Sequence, residues 1–407
     1  MPQLRGSAFV PHDIAYPLIG SVHGPLAGMT VAVKDMFDIR GASTSGGSPA
    51  WRDAHPPAAA NSGAVQRLLD AGASVVGKTV ADEFFYSTVG TNAHFGTPLN
   101  PHAVGRIPGG SSSGSASASA SGACDFAIGS DTAGSVRVPA ALCGVYGIRA
   151  SRDRFDFTGA MKMAPSFDAG GWFAATPGVF RMVGRILLQG VSVPGAIERV
   201  VLLDDALEVA DPAIAKIVED VVFGVEEKFS HIGRTRSSTE GLEVWREAMR
   251  VVQAWEVWDT FGDFVRSESP ELGPGVRERL ILASRIGEEE MRAARRVLHG
   301  VTERMEALAP VGTVLALPTT PVVAPTLNEE EGSLESYRVN GMRLSCIASI
   351  SGLPQVTIPM AYLDGAPVGV SFIGWRGGDE QLLDLAVAMS PLAASLVRTS
   401  KSAAVTN

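Results

Sequence analysis

The chain has 407 residues, of which 45% are hydrophobic and 19% charged, and its formal net charge is −9 at pH 7. A chain of this kind can bury a large core as a globular protein. The acidic balance and the lack of a basic cluster argue against a nucleic acid or an anionic membrane surface as a partner. No run of 18 apolar residues predicts a membrane span.

The amino terminus and the cysteines both favour a cytoplasmic location. The first residues, MPQLRGSAFVPHD, lack the apolar centre of a secretory signal. The three cysteines, Cys124, Cys143 and Cys346, are odd in number and form no CxxC pair. We expect them to be small buried side chains in a reducing compartment.

The first part of the chain alternates between strand and helix patterns. Residues 28–39, GMTVAVKDMFDI, form an apolar run that predicts a buried strand with Lys34 near its end. Residues 60–72 predict an amphipathic helix closed by Gly72, and residues 73–76 predict the next buried strand. This βαβ-like order favours an α/β sheet covered by helices.

Further strands are predicted on both sides of a long, charged helical stretch. Apolar segments predict strands at 123–129, 200–203, 314–317, 355–358 and 368–373. Residues from about 210 to 310 are mostly helical and include predicted helices at 242–265 and 277–308. Because no internal repeat or linker divides the chain, we predict one domain over residues 1–407, with the helical stretch as an excursion from the sheet.

Residues 72–79, GASVVGKT, match the phosphate-loop pattern GxxxxGK followed by Ser or Thr. A phosphate loop follows a strand and precedes a helix. Here the predicted helix comes first, and the predicted strand lies between the two glycines. We therefore predict no nucleotide site, and we expect Lys78 to be a strand-end lysine that reaches solvent.

Residues 110–114, GSSSG, match the nucleophile-elbow pattern GxSxG with Ser112 at its centre. That elbow needs a strand before it and an acid and a histidine downstream. The preceding GRIPGG is poor strand material, and His231 and His299 lie in charged sequence that reads as helical. A Ser-His-Asp triad is therefore disfavoured. The run SASASAS suits a flexible linker in isolation, but the apolar strands around it favour a tightly packed helix.

Three residues can together cut an amide bond without a histidine, a metal or a cofactor. Ser135 lies in the small-residue turn SDTAGS and fits the nucleophile. Lys34 fits the general base if burial keeps its amine neutral. Lowering its pKa to about 7 requires roughly 4 to 5 kcal/mol in favour of the neutral form. Ser111 would pass the proton from Ser135 to Lys34 and later return one to the leaving nitrogen.

The same turn offers donors for the oxyanion that develops during amide hydrolysis. We expect the backbone N–H groups of Thr132, Ala133, Gly134 and Ser135 to point into one concavity and form an oxyanion hole. The small side chains of this turn leave space for the carbonyl group of a substrate.

The stretch from 105 to 147 resembles the amidase signature family. The family pattern has three segments. The first is a loop similar to Gly-Gly-Ser-Ser-Gly-Gly, the second is Gly-Thr-Asp-Thr-Gly-Gly-Ser-(Ile/Val)-Arg-x-Pro-Ala, and the third is Cys-Gly. This chain reads GGSSSGS, GSDTAGSVRVPA and CG. Matches such as GPLAGMTVAVKD (24–35) and SGLPQVTIP (351–359) extend the resemblance over most of the chain except about 210–310.

The resemblance implies both a fold and a set of catalytic roles. The implied fold is α/β, with a large mixed central β-sheet covered by helices on both faces. Lys34, Ser111 and Ser135 correspond to the family's Ser-cisSer-Lys triad, in which Ser135 carries the acyl group. The peptide bond between Gly110 and Ser111 is the one expected to be cis. Neither a cofactor nor a metal is implied.

Other positions correspond to supporting residues of the family, and some depart from its pattern. Asp131 and Arg137 match positions that brace the catalytic loop, and Ser112 matches a neighbouring hydrogen-bonding serine. Ala133 replaces the usual first glycine of the Gly-Gly-Ser segment, and Ser130 replaces a threonine. Since alanine keeps its N–H group, we expect the oxyanion hole to survive this change.

Within the family, the short chain and the stretch NAHFGTPLNP (92–101) most resemble the indole-3-acetamide hydrolases, which release indole-3-acetate and ammonia. The expected partner is therefore a small-molecule amide, with an arylacetamide as a candidate. One group of aromatic residues either lines a substrate pocket or packs in the core, and helical spacing favours the core. The group comprises Trp172, Trp245, Trp255, Trp258 and Phe261.

Two other functions stay open at this point. The glutaminase subunit of the tRNA-dependent amidotransferase resembles the same family, but it would require partner subunits, and the short length of this chain disfavours it. A non-catalytic amidase-like receptor, as in chloroplast import, carries helical TPR repeats and lacks triad residues, and this sequence shows neither feature. A homodimer is the expected assembly, because isologous dimers are the commonest oligomers.

Overall fold

A ten-stranded sheet runs through the centre of the protein. The computed structural model describes residues 7–12 and 14–403, with the backbone alone from residue 393 onward. The strands are β1 (Thr30–Lys34), β2 (Ser74–Thr79), β3 (Phe126–Asp131), β4 (Tyr146–Arg149), β5 (Ala169–Ala174), β6 (Arg199–Leu203), β7 (His231–Thr235), β8 (Thr313–Pro318), β9 (Gln355–Leu363) and β10 (Ala366–Ile373).

The sheet is mixed, with parallel strands at both ends. The strand order is β2-β1-β3-β5-β4-β9-β10-β8-β6-β7. β1 pairs in parallel with β2 and β3, and β6 pairs in parallel with β7 and β8. The five pairings between them are antiparallel. Early and late strands thus join one sheet, which confirms the predicted α/β fold with a large mixed sheet.

Helices connect the strands and cover the sheet. They are α1 (Pro49–Ala54), α2 (Gly63–Asp70), α3 (Ser113–Ser121), α4 (Arg137–Cys143), α5 (Pro177–Leu187), α6 (Asp204–Val209), α7 (Pro212–Phe223), α8 (Leu242–Glu268), α9 (Val276–Ala283), α10 (Glu288–Leu308), α11 (Glu331–Ser351) and α12 (Asp379–Ala403). Single 3₁₀ turns lie at Glu83–Phe85 and Glu226–Lys228.

Both faces of the sheet are buried under helices, as the resemblance implies. On β1, Val31 and Val33 belong to an apolar cluster with residues of α2, α5, α7 and α12. Ala32, between them, belongs to a second cluster with residues of α3 and α4. On β8, Leu315 belongs to a third cluster with residues of α8, α10 and α11. Because both faces are covered, strand sequences such as TVAV and TVLALP are continuously apolar.

The small-residue run after the glycines forms helix α3, so the interpretation as a packed helix is confirmed. Residues 113–119 of this helix are buried. A side chain at Gly114 would place its Cβ 2.3 Å from the carbonyl oxygen of Ala8 and 2.6 Å from the amide nitrogen of Val80. Only small residues therefore allow α3 to lie this close to the neighbouring backbone.

The helical stretch at 210–310 differs from the prediction in two places. It contains strand β7, whose sequence HIGRT is partly exposed and lacks an apolar run, and which is held by parallel pairing to β6 at the end of the sheet. His231 therefore lies on a strand, and the prediction of a helical setting was wrong. The predicted helix at 277–308 is two helices, α9 and α10, separated at residues 284–287.

The close packing of β4 and β5 makes Gly171 a sensitive position. A Cβ atom at Gly171 would lie 2.1 Å from the carbonyl oxygen of Ile148, and backbone atoms cannot move aside cheaply. We expect Gly171→Ala to destabilise the protein by about 1–3 kcal/mol or more. Thermal unfolding monitored by circular dichroism measures this as a lowered Tm.

Gly300→Ala is the matched control. Gly300 lies in α10, and a Cβ atom there would meet no heavy atom within 4 Å. We expect this change to stabilise the helix by about 0.5–1 kcal/mol, because alanine favours helices over glycine. Equal melting temperatures for the two variants would contradict the packing argument.

Candidate active site

Lys34 is the last residue of β1, at an edge of the sheet where three strand ends meet. β1 is parallel to β2 and β3, so the carboxyl ends of these strands lie side by side. In open α/β sheets, binding sites form outside such ends. β3 ends at Asp131, and the turn that follows carries Ser135. The sheet therefore brings Lys34 and the SDTAGS turn together from distant parts of the sequence.

The amine of Lys34 is fully buried and surrounded by hydroxyl groups. Its Nζ donates hydrogen bonds to Ser111 Oγ at 2.8 Å and to Ser130 Oγ at 2.9 Å. It also lies 4.9 Å from the centre of the Phe85 ring. Among the described residues, no carboxylate forms an ion pair with this amine. Neutral hydroxyl partners leave a charge on Lys34 largely uncompensated.

Burial lowers the pKa of Lys34 to about 7. The negative charges of Asp82, Asp131 and Asp168 act in the opposite direction but do not outweigh desolvation. A sizeable fraction of the amine is therefore uncharged at neutral pH. A neutral amine has a free lone pair and can accept a proton from a hydroxyl group.

The loop before α3 holds Ser111 against this amine. The peptide bond between Gly110 and Ser111 is cis, as the resemblance implies. The Ser111 carbonyl oxygen accepts a hydrogen bond from the Asp82 N–H group at 3.2 Å. A Cβ atom at Gly110 would lie 2.4 Å from Asp82 Oδ1, so a side chain at this position would push the loop away from Lys34.

Ser135 lies on the turn that faces this loop. Its carbonyl oxygen accepts a hydrogen bond from the Ser112 N–H group at 3.2 Å, which ties the turn to the start of α3. The Ser135 side chain lines a cavity. In the described part of the chain its hydroxyl group has no hydrogen-bond partner, so the predicted contact between Ser111 and Ser135 is not made in this conformation. The structure thus joins Lys34 to Ser111 directly and places Ser135 beside them.

The Asp131 carboxylate fixes the conformation of the turn that carries Ser135. The carboxylate accepts hydrogen bonds from the backbone N–H groups of Gly134 (2.9 Å), Val136 (3.0 Å) and Arg137 (3.1 Å). The Arg137 guanidinium donates to both of its oxygens, at 2.7 and 3.0 Å. Burial by itself would raise the pKa of Asp131, but Arg137, Arg149 and these hydrogen bonds lower it well below its usual range. The carboxylate is therefore permanently charged near neutral pH.

Arg137 connects the turn to helix α11 and to strand β9. It is 1% exposed, and its guanidinium also donates to the Ser345 carbonyl oxygen, Ser349 Oγ and Gln355 Oε1 at 2.7–2.9 Å. The bracing positions expected for Asp131 and Arg137 therefore match the observed contacts.

One of the four predicted oxyanion donors is not available. The Gly134 N–H group is bound to Asp131, so including it in the oxyanion hole was wrong. The N–H groups of Thr132, Ala133 and Ser135 donate no hydrogen bond to any residue the structure describes, and all three residues line the cavity. These three can serve a developing oxyanion. Gly134 instead supplies a φ of +108°, which favours glycine.

Three residues of the site were not identified as functional from the sequence. Ser130 binds the Lys34 amine, although the sequence marked it only as a departure from the family pattern. Asp168 accepts a hydrogen bond from Thr132 Oγ1 at 2.6 Å and so fixes the turn from the other side. Asp82 is buried behind Gly110, and burial raises its pKa to about 6. Ser130 lies in the SDTAGS segment itself, whereas only the fold brings Asp82 and Asp168 near Lys34.

Of the expectations for Ser112 and Lys78, the structure agrees with the first and not with the second. The Ser112 hydroxyl donates to the Ser130 carbonyl oxygen at 3.2 Å, as expected of a hydrogen-bonding serine. Lys78 is only 1% exposed, and its Nζ forms an ion pair with Asp35 at 2.7 Å. The expectation that Lys78 reaches solvent was therefore wrong.

Neither the phosphate-loop pattern at residues 72–79 nor the nucleophile-elbow pattern at residues 110–114 forms the site that its sequence suggests. Gly77, Lys78 and Thr79 lie within strand β2 and not at the start of a helix, so the GxxxxGK segment is not a phosphate loop. His299 is 78% exposed on α10, and His231 lies on β7, at the opposite end of the sheet from β1. Neither histidine can complete a triad with Ser112.

The cavity above Ser135 is lined by residues from late helices and from the segment after β2. Its empty volume is about 520 Å³, including the part open to solvent. The lining residues are Phe85, Tyr86, Ser87, Thr88, Thr132, Ala133, Ser135, Met163, Gln253, Arg279, Arg338 and Met342. Two aromatic rings and two methionines thus face the nucleophile candidate.

None of the five aromatic residues considered from the sequence lines this cavity, so the core-packing interpretation is the better one. Trp172 and Trp245 are fully buried. Phe261 stacks on Phe84 with ring centres 4.7 Å apart. Trp258 is half-buried under the Arg266 guanidinium.

Membrane spans and metal sites can be considered for residues 7–12 and 14–403. No helix there is both long and apolar enough to cross a membrane. The same residues contain no group of three or more His, Cys, Asp or Glu side chains placed to hold a metal ion. The cysteines are buried and free of disulfides.

Comparison with known proteins agrees with this geometry. The sequence profile of the family described as Amidase matches residues 12–187 and 228–383. The chain is 36% identical over 390 residues to Amidase 1 of Arabidopsis thaliana, covering 88% of this chain and 92% of that protein. It is 35% identical over 399 residues to Outer envelope protein 64, chloroplastic, of the same plant, covering 90% and 67%.

A further relative and a solved structure are also similar to this chain. A glutamyl-tRNA(Gln) amidotransferase subunit from Halobacterium salinarum is 31% identical over 425 residues, covering 91% of this chain and 96% of that protein. A crystal structure of an amidase superposes with a TM-score of 0.81 at 27% identity, covering 90% and 85%. The chain therefore belongs to the amidase family and is an amidohydrolase, an enzyme that hydrolyses amide C–N bonds.

Proposed function

We propose that the enzyme hydrolyses a small carboxamide to a carboxylate and ammonia through an acyl-enzyme on Ser135. The observation that carries this proposal is the buried Lys34 amine, which has a pKa of about 7 and lies 2.8 Å from Ser111 Oγ. The turn beside it places Ser135, Thr132 and Ala133 in the wall of a cavity, and the backbone N–H groups of these three residues donate no hydrogen bond to any residue the structure describes.

Acylation begins when the Ser135 oxygen attacks the carbonyl carbon of the amide. As the new C–O bond forms, the Ser135 proton passes to Ser111 and the Ser111 proton passes to neutral Lys34. Ser111 and Ser135 must come within hydrogen-bond distance for this step, and such contacts often tighten only when substrate is bound. The N–H groups of Thr132, Ala133 and Ser135 stabilise the resulting oxyanion.

Collapse of the tetrahedral intermediate breaks the C–N bond. The proton held on Lys34 returns through Ser111 to the leaving nitrogen, so the products of this half-reaction are ammonia and the Ser135 acyl ester. Water then attacks the ester with the same groups as base and acid. The carboxylic acid leaves, loses its proton to solvent, and Ser135 regains its hydroxyl hydrogen.

The finer proposal for the substrate is an arylacetamide such as indole-3-acetamide. The resemblance of residues 92–101 to the indole-3-acetamide hydrolases supports it, and so do Phe85, Tyr86, Met163 and Met342 in the cavity wall. A flat apolar ring can pack against these side chains while its amide reaches the turn.

The alternatives have less support. Relatives of this chain include a component of a glutamyl-tRNA(Gln) amidotransferase and a chloroplast outer envelope protein, so likeness alone does not separate the functions. A glutaminase subunit would purify with partner subunits, which gel filtration and a pull-down would detect. A non-catalytic receptor has no need for the neutral lysine and its serine partners.

Ser135→Ala should abolish ammonia release from every amide while leaving the fold intact, because it removes only the attacking oxygen. A panel of aryl, alkyl and dicarboxylic amides assayed for ammonia measures the loss, and circular dichroism checks the fold. Ser121→Ala is the matched control, since Ser121 lies exposed at the far end of α3 and should keep wild-type activity. Full activity of Ser135→Ala would remove the mechanism.

The rate should depend on pH through the protonation of Lys34. Below the pKa of about 7 the amine is charged and cannot accept a proton, so kcat/KM should fall about tenfold for each pH unit. Lys34→Ala should be nearly inactive at every pH. The measurement is kcat/KM between pH 5 and 9 with an amide that does not titrate in this range.

Asp82→Asn tests whether the fall of kcat/KM at low pH, the acid limb of the profile, comes from protonation of Lys34. The charge of Asp82 raises the pKa of Lys34, so its removal should move the limb to lower pH. A profile that is flat between pH 5 and 8 in the wild-type enzyme, or a limb that moves to higher pH in the variant, would count against Lys34 as the base.

A further inference from the structure

Two arginines line the cavity that holds Ser135. Arg279 comes from α9 and Arg338 from α11. The other lining residues are neutral, so within the described part of the chain no carboxylate faces the cavity with them. A cavity wall with two cations and no anion indicates a ligand that brings negative charge.

The two arginines differ in how their charges are compensated. Arg338 forms ion pairs with Glu331 at 2.6 Å and Glu335 at 3.2 Å, both of them largely exposed. The Arg279 guanidinium forms no ion pair or hydrogen bond with any residue the structure describes. It lies over the Tyr86 ring, with the ring centre 5.5 Å away. Arg279 is therefore the uncompensated cation of the cavity.

Burial makes this arrangement unfavourable without a ligand. Desolvation and the charge of Arg338 both lower the pKa of Arg279, which shows that the two cations lie close enough to repel. The Nε groups of both side chains are shielded from solvent and unpaired among the described residues. Asp82 and Glu335 offset part of the charge, but neither forms an ion pair with Arg279. Burial also raises the pKa of Asp82 to about 6.

We propose that Arg279 binds a carboxylate carried by the acyl part of the substrate, with Arg338 beside it. The preferred substrates would then be carboxylated amides, either monoamides of dicarboxylic acids or arylacetamides with a carboxyl group on the ring, and neutral indole-3-acetamide would be a poorer substrate than these. A guanidinium can bind a carboxylate through two parallel hydrogen bonds, which also fixes the orientation of the amide toward Ser135. This inference rests on the proposed function, because it places the substrate in the same cavity.

Matched pairs of amides test the inference. Succinamate is compared with butyramide, adipamate with hexanamide, and (4-carboxyphenyl)acetamide with phenylacetamide, each pair sharing an acyl body with and without the carboxylate. We expect kcat/KM to be at least about tenfold higher for the carboxylated member of the best pair, since a charge-assisted hydrogen bond has about this effect. The preference should weaken as salt is added.

Variants of Arg279 then assign the preference to this side chain. Arg279→Gln should lower kcat/KM for the carboxylated amide about ten- to a hundredfold, and much more than for its neutral partner. Arg279→Lys should recover part of the preference, because it keeps a positive charge. Arg277→Gln is the matched control: it removes an exposed arginine of the same helix and should leave the preference unchanged.

A binding measurement separates this inference from the proposed function. Calorimetry with Ser135→Ala enzyme should detect binding of the carboxylated amide, and the Ser135→Ala, Arg279→Gln double variant should lose it. If no amide releases ammonia, the proposed function fails, and the calorimetry still decides whether Arg279 binds a carboxylate. Neutral amides preferred by the wild-type enzyme, or a preference that survives Arg279→Gln, would overturn the inference.

Discussion

The chemistry of this enzyme depends on a lysine amine that the fold buries without giving it a counter-ion. Moving the pKa of Lys34 from 10.5 to about 7 corresponds to a free energy on the order of 5 kcal/mol between its two protonation states. Lys78, on the adjacent strand, is equally buried but has the Asp35 carboxylate at 2.7 Å. Both amines contact hydroxyl groups, and the difference between them is the carboxylate that pairs with Lys78. Only an amine without such a counter-ion suits a base.

A base of this kind is useful only if the groups around it stay in place. The Asp131 carboxylate binds three backbone N–H groups and the Arg137 guanidinium, so the turn carrying Ser135 has little freedom. Buried ion pairs add little to net stability, yet losing one partner typically costs about 3–5 kcal/mol. We interpret this network as a device for rigidity, because it fixes the turn through several hydrogen bonds to one carboxylate while Thr132, Ala133 and Ser135 line the cavity.

Sequence reasoning reached the parts of the site that lie in short motifs. Each of Lys34, Ser111 and Ser135 is weak evidence by itself, and they could be identified because their combined pattern is specific. The partner of Lys78 and the Gly134–Asp131 hydrogen bond could not, since both depend on which backbone and side-chain groups meet in three dimensions. Strand β7 was missed for a similar reason: its residues are half-exposed, and pairing to β6 rather than its own sequence makes it a strand.

The chain divides chemistry and recognition between different elements. Lys34, Ser111 and Ser135 come from the region around β1, α3 and β3, whereas the cavity wall includes Arg279 of α9 and Arg338 of α11. Family membership therefore predicts the reaction better than the substrate, because the cavity wall can change while the strand ends stay the same. Asp82 links the two parts, since its charge acts on both Lys34 and Arg279. A ligand anion at Arg279 would satisfy that cation from the cavity side.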